Sequence, residues 1–210
     1  PISLTVVSPN IVTISASVPA NSVAELVALA KAKPGQLNAY ISSGGGSPSL
    51  TNLLFQSTTG AKFTNISYKS TPQGINDLLA GRVHVMFSGI ATFIPHIKTG
   101  KIKLLAVTSQ NPSSQAPDLP TMASLGYPDF VSVSAHALLA PPRTSGAIVN
   151  RLNQEVVRFL SESEAKAKLT GLGFDITATS AADLGKFMKS EMERMGPVLR
   201  EAGIKPGTAE

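Results

Sequence analysis

Residues Gly44-Gly45-Gly46-Ser47-Pro48 are the part of the chain whose types and spacing could do chemistry. They sit inside Tyr40–Phe55, YISSGGGSPSLTNLLF, which reads as strand, glycine-rich turn and helix. The glycines put no side chain near whatever occupies the turn. Ser47 is a suitable N-cap and Pro48 a suitable first helical residue, with Leu50, Leu53 and Leu54 as one apolar face. A helix that starts this way aims unpaired backbone N–H groups at one spot, and its dipole adds partial positive charge there. That is the chemistry of an anion site. The spacing is not that of a nucleotide phosphate loop, because no Lys-Ser/Thr pair follows the glycines. It is not a dinucleotide fingerprint either, since Ser49 stands at the last glycine position. A tight strand-to-helix turn that uses glycine for geometry alone is the alternative.

The elements around this turn follow one another along the chain. Ile2–Val7 and Ile11–Ser17 read as two strands with a turn at Ser8-Pro9-Asn10. Ser22 and Glu25 form a capping box for a helix striped by Val23, Leu26, Val27 and Ala30, stopped by Pro34-Gly35. Leu37–Ile41 is the strand that feeds the glycine turn, and Leu50–Gly60 the helix after it. The unit then recurs. Phe63–Tyr68 is a strand, Ser70 or Thr71 caps a helix with Ile75, Leu78 and Leu79 inward, and Val83–Phe87 is a strand followed by Ser88-Gly89. Ala91–Lys98 reads as helix despite Pro95, and Lys103–Thr108 as strand. Strands alternating with helices predict βαβ units and a mainly parallel sheet, an α/β fold.

Beyond a proline-rich loop at 111–128, with a short helix at Thr121–Leu125, Phe130–Leu139 reads as a long strand. Helices capped by Thr144 or Ser145 and by Ser180 with Asp183 flank a shorter one at Glu164–Leu172 and a strand at Phe174–Thr177. The division expected is a βαβ body from about Ala20 to Pro128 and a largely helical remainder from Asp129. In such sheets ligands bind at the carboxyl ends of the strands. Ser42–Ser47, Lys69–Thr71 and Ser88-Gly89 then converge, all small and hydroxyl-rich but for Lys69, with no carboxylate among them. This set points to binding rather than bond-breaking.

Composition narrows the classes. The 210 residues are 42% hydrophobic and 15% charged, enough to bury a core and unlike a disordered chain. Cysteine is absent, which excludes a thiol nucleophile, a disulfide and thiolate-bound zinc. The net charge of +5 is scattered and aromatics are 5%, so no nucleic-acid groove is expected. His84, His96 and His136 have no ligand-like spacing, so no metal or other cofactor is expected. His136 is read as a packing or surface residue, with a ligand contact as the alternative. No membrane-length apolar run and no signal peptide is read. The chain opens on Pro1-Ile2 without Met, in the middle of strand-like sequence, and is expected to be a processed product or a piece of a longer protein. A serine hydrolase is the enzymatic alternative, with Ser47 as nucleophile, but no GxSxG surrounds it and no His is assigned to it. No catalytic residue is expected.

At these residues the chain resembles the periplasmic substrate-binding proteins of tripartite tricarboxylate transporters, the Bug family. The matching pieces are SVAELVALAKAKPGQLNAYISSGGGSPSLTNLLF, ISYKSTPQGINDLLAGRVHVMF, PHIKTGKIKLLAVTS, LPTMASLGYPDF, LLAPPRTSGAIVNRLNQEVVRFL and LREAGIKPG, in family order over nearly all of Asn21–Gly207. The resemblance implies a periplasmic-binding-protein-like fold of type II, a Venus flytrap with a parallel-rich sheet flanked by helices, whose first domain is incomplete in this chain. Residues 1–19 would be hinge or remnant strands of the first domain, 20–128 the α/β ligand-binding second domain, and 129–210 the return strand and C-terminal helices of the first. It implies a periplasmic protein that captures a small organic carboxylate and hands it to membrane transporter subunits.

By position, the family's ligand loops fall on Ser42, Ser43, Gly44, Gly45, Gly46, Ser47 and Ser49, on Tyr68, Lys69, Ser70 and Thr71, and on Ser88 and Gly89. The chain departs from the family in three places. Ser49 stands where the family usually has His, Ser88 where an Asp often follows Met-Phe, and His84 where an Asp is usual. The second departure argues against an amino-acid ligand. With part of the first domain absent, the apolar stripes after Ala147 are expected to be covered by a homo-oligomer, a swapped strand or a rearranged fold. A scaffold or truncated fragment that binds no solute is the remaining alternative.

Overall fold

A computed structural model describes residues 1–43 and 45–203. These fall into two compact units. One holds Pro1–Ser8 and Ser134–Pro197; the other holds Pro9–Val133 and the residues from Val198.

The larger unit is built on a five-stranded sheet in the order β3-β2-β4-β1-β5. Its strands are β1 (Ser3–Ser15, of which Pro9–Ser15 belong here), β2 (Asn38–Ser42), β3 (Thr64–Tyr68), β4 (Val85–Gly89) and β5 (Ile102–Val107). β2 runs parallel to β3 and to β4, while β1 runs antiparallel to both β4 and β5. The expected parallel sheet is therefore present, with one strand reversed inside it.

Ser8-Pro9-Asn10, expected as a turn between two strands, is instead the middle of one 13-residue strand. The reason is positional. Pro9 has no N–H to give a ladder, and it stands where β1 changes partners. Val6 and Val7 pair with Ile176 and Asp175, whereas Asn10 onward pairs with β4 from Gly89.

Helices α1 (Val23–Ala32), α2 (Ser47–Thr59) and α3 (Thr71–Leu79) follow β1, β2 and β3. α1 starts as expected: Glu25 N donates to Ser22 Oγ at 3.1 Å, and Asn21 N donates to Glu25 Oε2 at 2.7 Å. Successive residues of β4 point to opposite faces of the sheet. Met86 lies in a core with Tyr40 and Leu78, and Phe87 meets Phe55 at 5.3 Å between ring centroids, with Phe63 and Phe130 also on Phe55. Gly74 in α3 is required by contact: a Cβ there would overlap the ring of Tyr40 at Cδ2. The expected helix at Ala91–Lys98 is broken into a 3-10 turn, Ile90–Thr92, and α4 (Ile94–Ile97), because Pro95 fits only the first turn of a helix. The short helix expected at Thr121–Leu125 is a 3-10 turn over Ala123–Leu125.

The smaller unit joins the first part of β1 to β6 (Val133–Leu138) and β7 (Asp175–Ile176), with α5 (Gly146–Ser161), α6 (Ser163–Gly171) and α7 (Ala181–Glu201). α7 runs on past Pro197 into the residues of the larger unit. The strand expected over Phe130–Leu139 is shorter. Phe130 is buried in the aromatic core of the larger unit and Ser132 N donates to Thr108 O, so the chain reaches Val133 before strand pairing begins. Ser145 caps α5 through Ile148 N, and Asp183 N donates to Ser180 Oγ at 3.1 Å. Several apolar side chains of α5 face outward: Ile148, Leu152 and Phe159 are exposed.

Candidate functional site

β3, β2 and β4 are neighbours and parallel, so their carboxyl ends lie side by side. This brings together Ser42–Ser49, Tyr68–Thr71 and Ser88-Gly89. Gly44, one of the expected site residues, lies outside the described residues. Ser43 N donates to Tyr68 O at 3.0 Å, which ties the first loop to the second. Gly45 N donates to Ser42 O at 3.0 Å and closes the turn. Gly45 and Gly46 have φ of 75° and 95°, a region that L side chains avoid, so glycine is needed at both.

Ser47 is not the N-cap. Gly46 holds that place with no side-chain bond, and Ser47 is the first residue of α2. The serine is free for another bond: its Oγ accepts from Asn10 Nδ2 at 2.7 Å. Pro48 has no N–H, and Gly45 N–H is spent on the turn. Among the described residues, the backbone donors left at this end of α2 are those of Gly46, Ser47 and Ser49. The first turns of α2 and α3 carry no acidic residue, so neither helix neutralises its own positive end.

Ser49, expected to offer its hydroxyl to a ligand, is buried and turned back on the loop. Its Oγ accepts from Ser42 N at 2.9 Å, so it serves as a clasp between β2 and α2. Ser88 is buried and its Oγ lies 3.0 Å from Thr92 Oγ1. The Tyr68 ring stacks on Tyr40 at 5.6 Å, and its hydroxyl donates to Asp77 Oδ2 at 2.6 Å. Burial, and then the bond to Asp77, push the Tyr68 phenol up to about 12. Asp77 is held below the usual carboxylate range by its bonds to Arg82 and then to Tyr68. Tyr68 is thus a neutral wall whose proton is already given. Lys69 and Ser70 are exposed, and Thr71 Oγ1 lies 3.4 Å from the Tyr40 hydroxyl. Lys69 is the one charged side chain of these three loops.

Four residues that sequence reasoning did not single out support the site from beneath. Asn10 Nδ2 also donates to Thr51 Oγ1 at 2.8 Å, Thr51 Oγ1 lies 2.6 Å from Ser132 Oγ, and Thr108 Oγ1 bonds Asn10 O at 2.9 Å and also Ser132 O. All four are buried. The only sequence signal for Asn10 was an amide beside an apolar strand, and Pro9 made it look like a turn.

His84 stands at the other end of the sheet. Its Nδ1 accepts from Asn38 N at 2.8 Å, and burial pushes its pKa down. It lines a cleft of about 230 Å³ with Ser17, Lys33 and Gln36, at the amino ends of β2 and β4. His136 packs edge-on against Phe174 at 5.1 Å in the smaller unit. Among the described residues no group of His, Asp and Glu is arranged to hold a metal ion, and no helix is long and apolar enough to cross a membrane.

Residues 1–204 match the family described as tripartite tricarboxylate transporter family receptor. The chain belongs to that family. BugT of Bordetella pertussis is 30% identical over 205 residues, covering 98% of this chain and 63% of BugT. The chain thus spans less than two thirds of that relative's length. Among solved structures, R. palustris Rpa4515 with adipate is 31% identical with a TM-score of 0.80, covering 97% of this chain and 68% of that one. The periplasmic binding protein BugD is 26% identical with a TM-score of 0.78, covering 98% and 69%. The α/β fold of this chain is that of the periplasmic binding proteins of this family.

Proposed function

We propose that this receptor captures a small organic carboxylate in the periplasm and delivers it to the membrane subunits of a tripartite transporter. One observation carries the reading: three parallel strand ends meet beside a helix N-terminus with no acidic residue in its first turn, and Lys69 is the only charged side chain among their loops. Backbone donors of Gly46, Ser47 and Ser49 would receive one carboxylate, with the exposed Ser43, Lys69 and Ser70 around it. Adipate is the carboxylate bound in the structure of the Rpa4515 relative, and a dicarboxylate of that kind is the proposed ligand class. A hydrolase finds no support in the same geometry. Ser47 Oγ takes its hydrogen bond from an amide and not from a histidine, so nothing draws off its proton.

The test is a thermal-shift series with mono- and dicarboxylates, adipate included. A ligand held at a hundred times its Kd should stabilise the fold by about 2.7 kcal/mol, a rise of several degrees. Gly45→Val, which places a β-branched side chain at positive φ, should remove that response. A response that survives this change would put binding elsewhere, and no response to any acid would refute the reading.

A further inference from the structure

The amide of Asn10 is wholly buried in β1, opposite Gly89 of β4. Its Nδ2 gives both hydrogens to hydroxyls of α2, Ser47 Oγ at 2.7 Å and Thr51 Oγ1 at 2.8 Å. Its Oδ1 has no hydrogen-bond partner among the described residues. A buried acceptor without a donor is unfavourable, and an aliphatic side chain would avoid it. The residue is therefore to be understood through its donors. Turning the amide over would leave two buried N–H groups without acceptors in place of one carbonyl, which is worse.

Hydrogen counting then fixes the direction of the network. Thr51 has one hydroxyl hydrogen, and its geometry gives it to Ser47 O at 2.8 Å. Thr51 Oγ1 is left as acceptor for Asn10 and for Ser132, 2.6 Å away. Ser47 Oγ accepts from Asn10, and its own hydrogen is not used within the network. Ser47 is only half-buried and opens α2. Its hydroxyl is thus set as a donor beside the backbone N–H groups of the helix start.

We propose that Asn10 is a positioning residue of the anion site: it pins the first turn of α2 and forces the Ser47 hydroxyl to donate outward, toward a bound carboxylate. This rests on the carboxylate reading above, and it adds a specificity element that prefers an unprotonated acceptor. A carboxylate at Asn10 would reverse the network. It can only accept, so Ser47 would turn its hydrogen inward, and a negative charge would lie under the helix start.

The experiment is adipate affinity by calorimetry between pH 8 and pH 5.5 for wild type, Asn10→Asp, Asn10→Ala and Ser47→Ala. Asn10→Asp should bind at least 100-fold more weakly than wild type at pH 8. It should recover much of that loss relative to wild type as the pH falls, because the protonated carboxyl can donate again. Asn10→Ala and Ser47→Ala should each lose about 10-fold with no such recovery, and the double change should be no worse than either alone. Wild-type affinity in Asn10→Asp at pH 8, or a loss with no recovery, overturns the proposal, since mere destabilisation predicts no return at low pH. Amide hydrogen exchange decides the pinning separately. Leu50 and Thr51 should exchange faster in Asn10→Ala while α1 does not. Equal exchange overturns the proposal even where no acid binds, and absence of wild-type binding with faster exchange would sink the carboxylate reading alone.

Discussion

α2 and α5 look alike in sequence, each an amphipathic helix with leucines on one face, yet the structure uses them in opposite ways. α2 turns polar groups inward: Ser49, Thr51 and Asn52 are buried alongside Leu54 and Phe55. α5 turns apolar groups outward, with Phe159 56% exposed and Leu160 its one buried residue. A groove of about 390 Å³ beside it is lined by Val6, Leu138, Val156, Phe159 and Leu169. Burying hydroxyls gains little stability, because each bond replaces one to water. What it gains is geometry: Asn10, Thr51 and Ser132 fix the start of α2 at the carboxyl end of the sheet. Ile148, Leu152 and Phe159 of α5 are exposed among the described residues, and they belong to the stripes expected from the sequence to need a cover. The difference teaches that a buried helix face can be polar where it must position a neighbouring loop.

Phe55 is where α2 depends most on its core. Its ring is fully buried against Phe63, Phe87 and Phe130, so Phe55→Ala should cost about 3–5 kcal/mol in denaturant unfolding. A loss below 1 kcal/mol would mean that α2 does not depend on its aromatic core. Thr51→Val keeps the shape but leaves hydrogens of Asn10 and Ser132 without an acceptor, and should cost about 1–3 kcal/mol. No change would show the polar face to be incidental.

His84 offers a smaller effect at the opposite end of the sheet. Burial lowers its folded pKa below the unfolded value, so the unfolded chain binds the proton more readily. Its contribution is complete above the ordinary histidine range and is lost as the pH falls through it. His84→Gln should flatten that slope in Tm measured from pH 8 to 5, and an unchanged slope would count against the assignment. Smallest of all, Phe159→Ser should change stability by no more than about 0.5 kcal/mol. A loss well above that would show that the outward face of α5 is covered in solution.

Much of this architecture is legible from sequence because it is local. Ser22 with Glu25, Ser145 and Ser180 with Asp183 mark helix starts through bonds that span three or four residues, and the alternation of strand and helix gives the sheet its parallel strands. The carboxyl-end loops follow from that alternation. What was not legible depends on distant partners. Pro9 signals a turn locally, but it sits in one strand because β7 and then β4 supply its neighbours with ladders. Asn10 reaches Ser47 and Thr51 across about 40 residues, and Ser132 reaches Thr51 across 81. Gly74 reads as a weak point in a helix until Tyr40 is seen against it. Ser47 and Ser49 read as hydroxyls at a helix start, but nothing in their spacing assigns their partners, Asn10 and Ser42.

The central claim is that a carboxylate binds at the start of α2, and it is tested most directly by titrating the isotope-labelled protein with adipate and following backbone amide shifts. Saturable changes should concentrate at Gly45–Ser49, Lys69–Thr71 and Ser88-Gly89, with Ser17, Lys33 and His84 unmoved. Changes centred on that second group of residues, or none at saturating adipate and at other dicarboxylates, would contradict it.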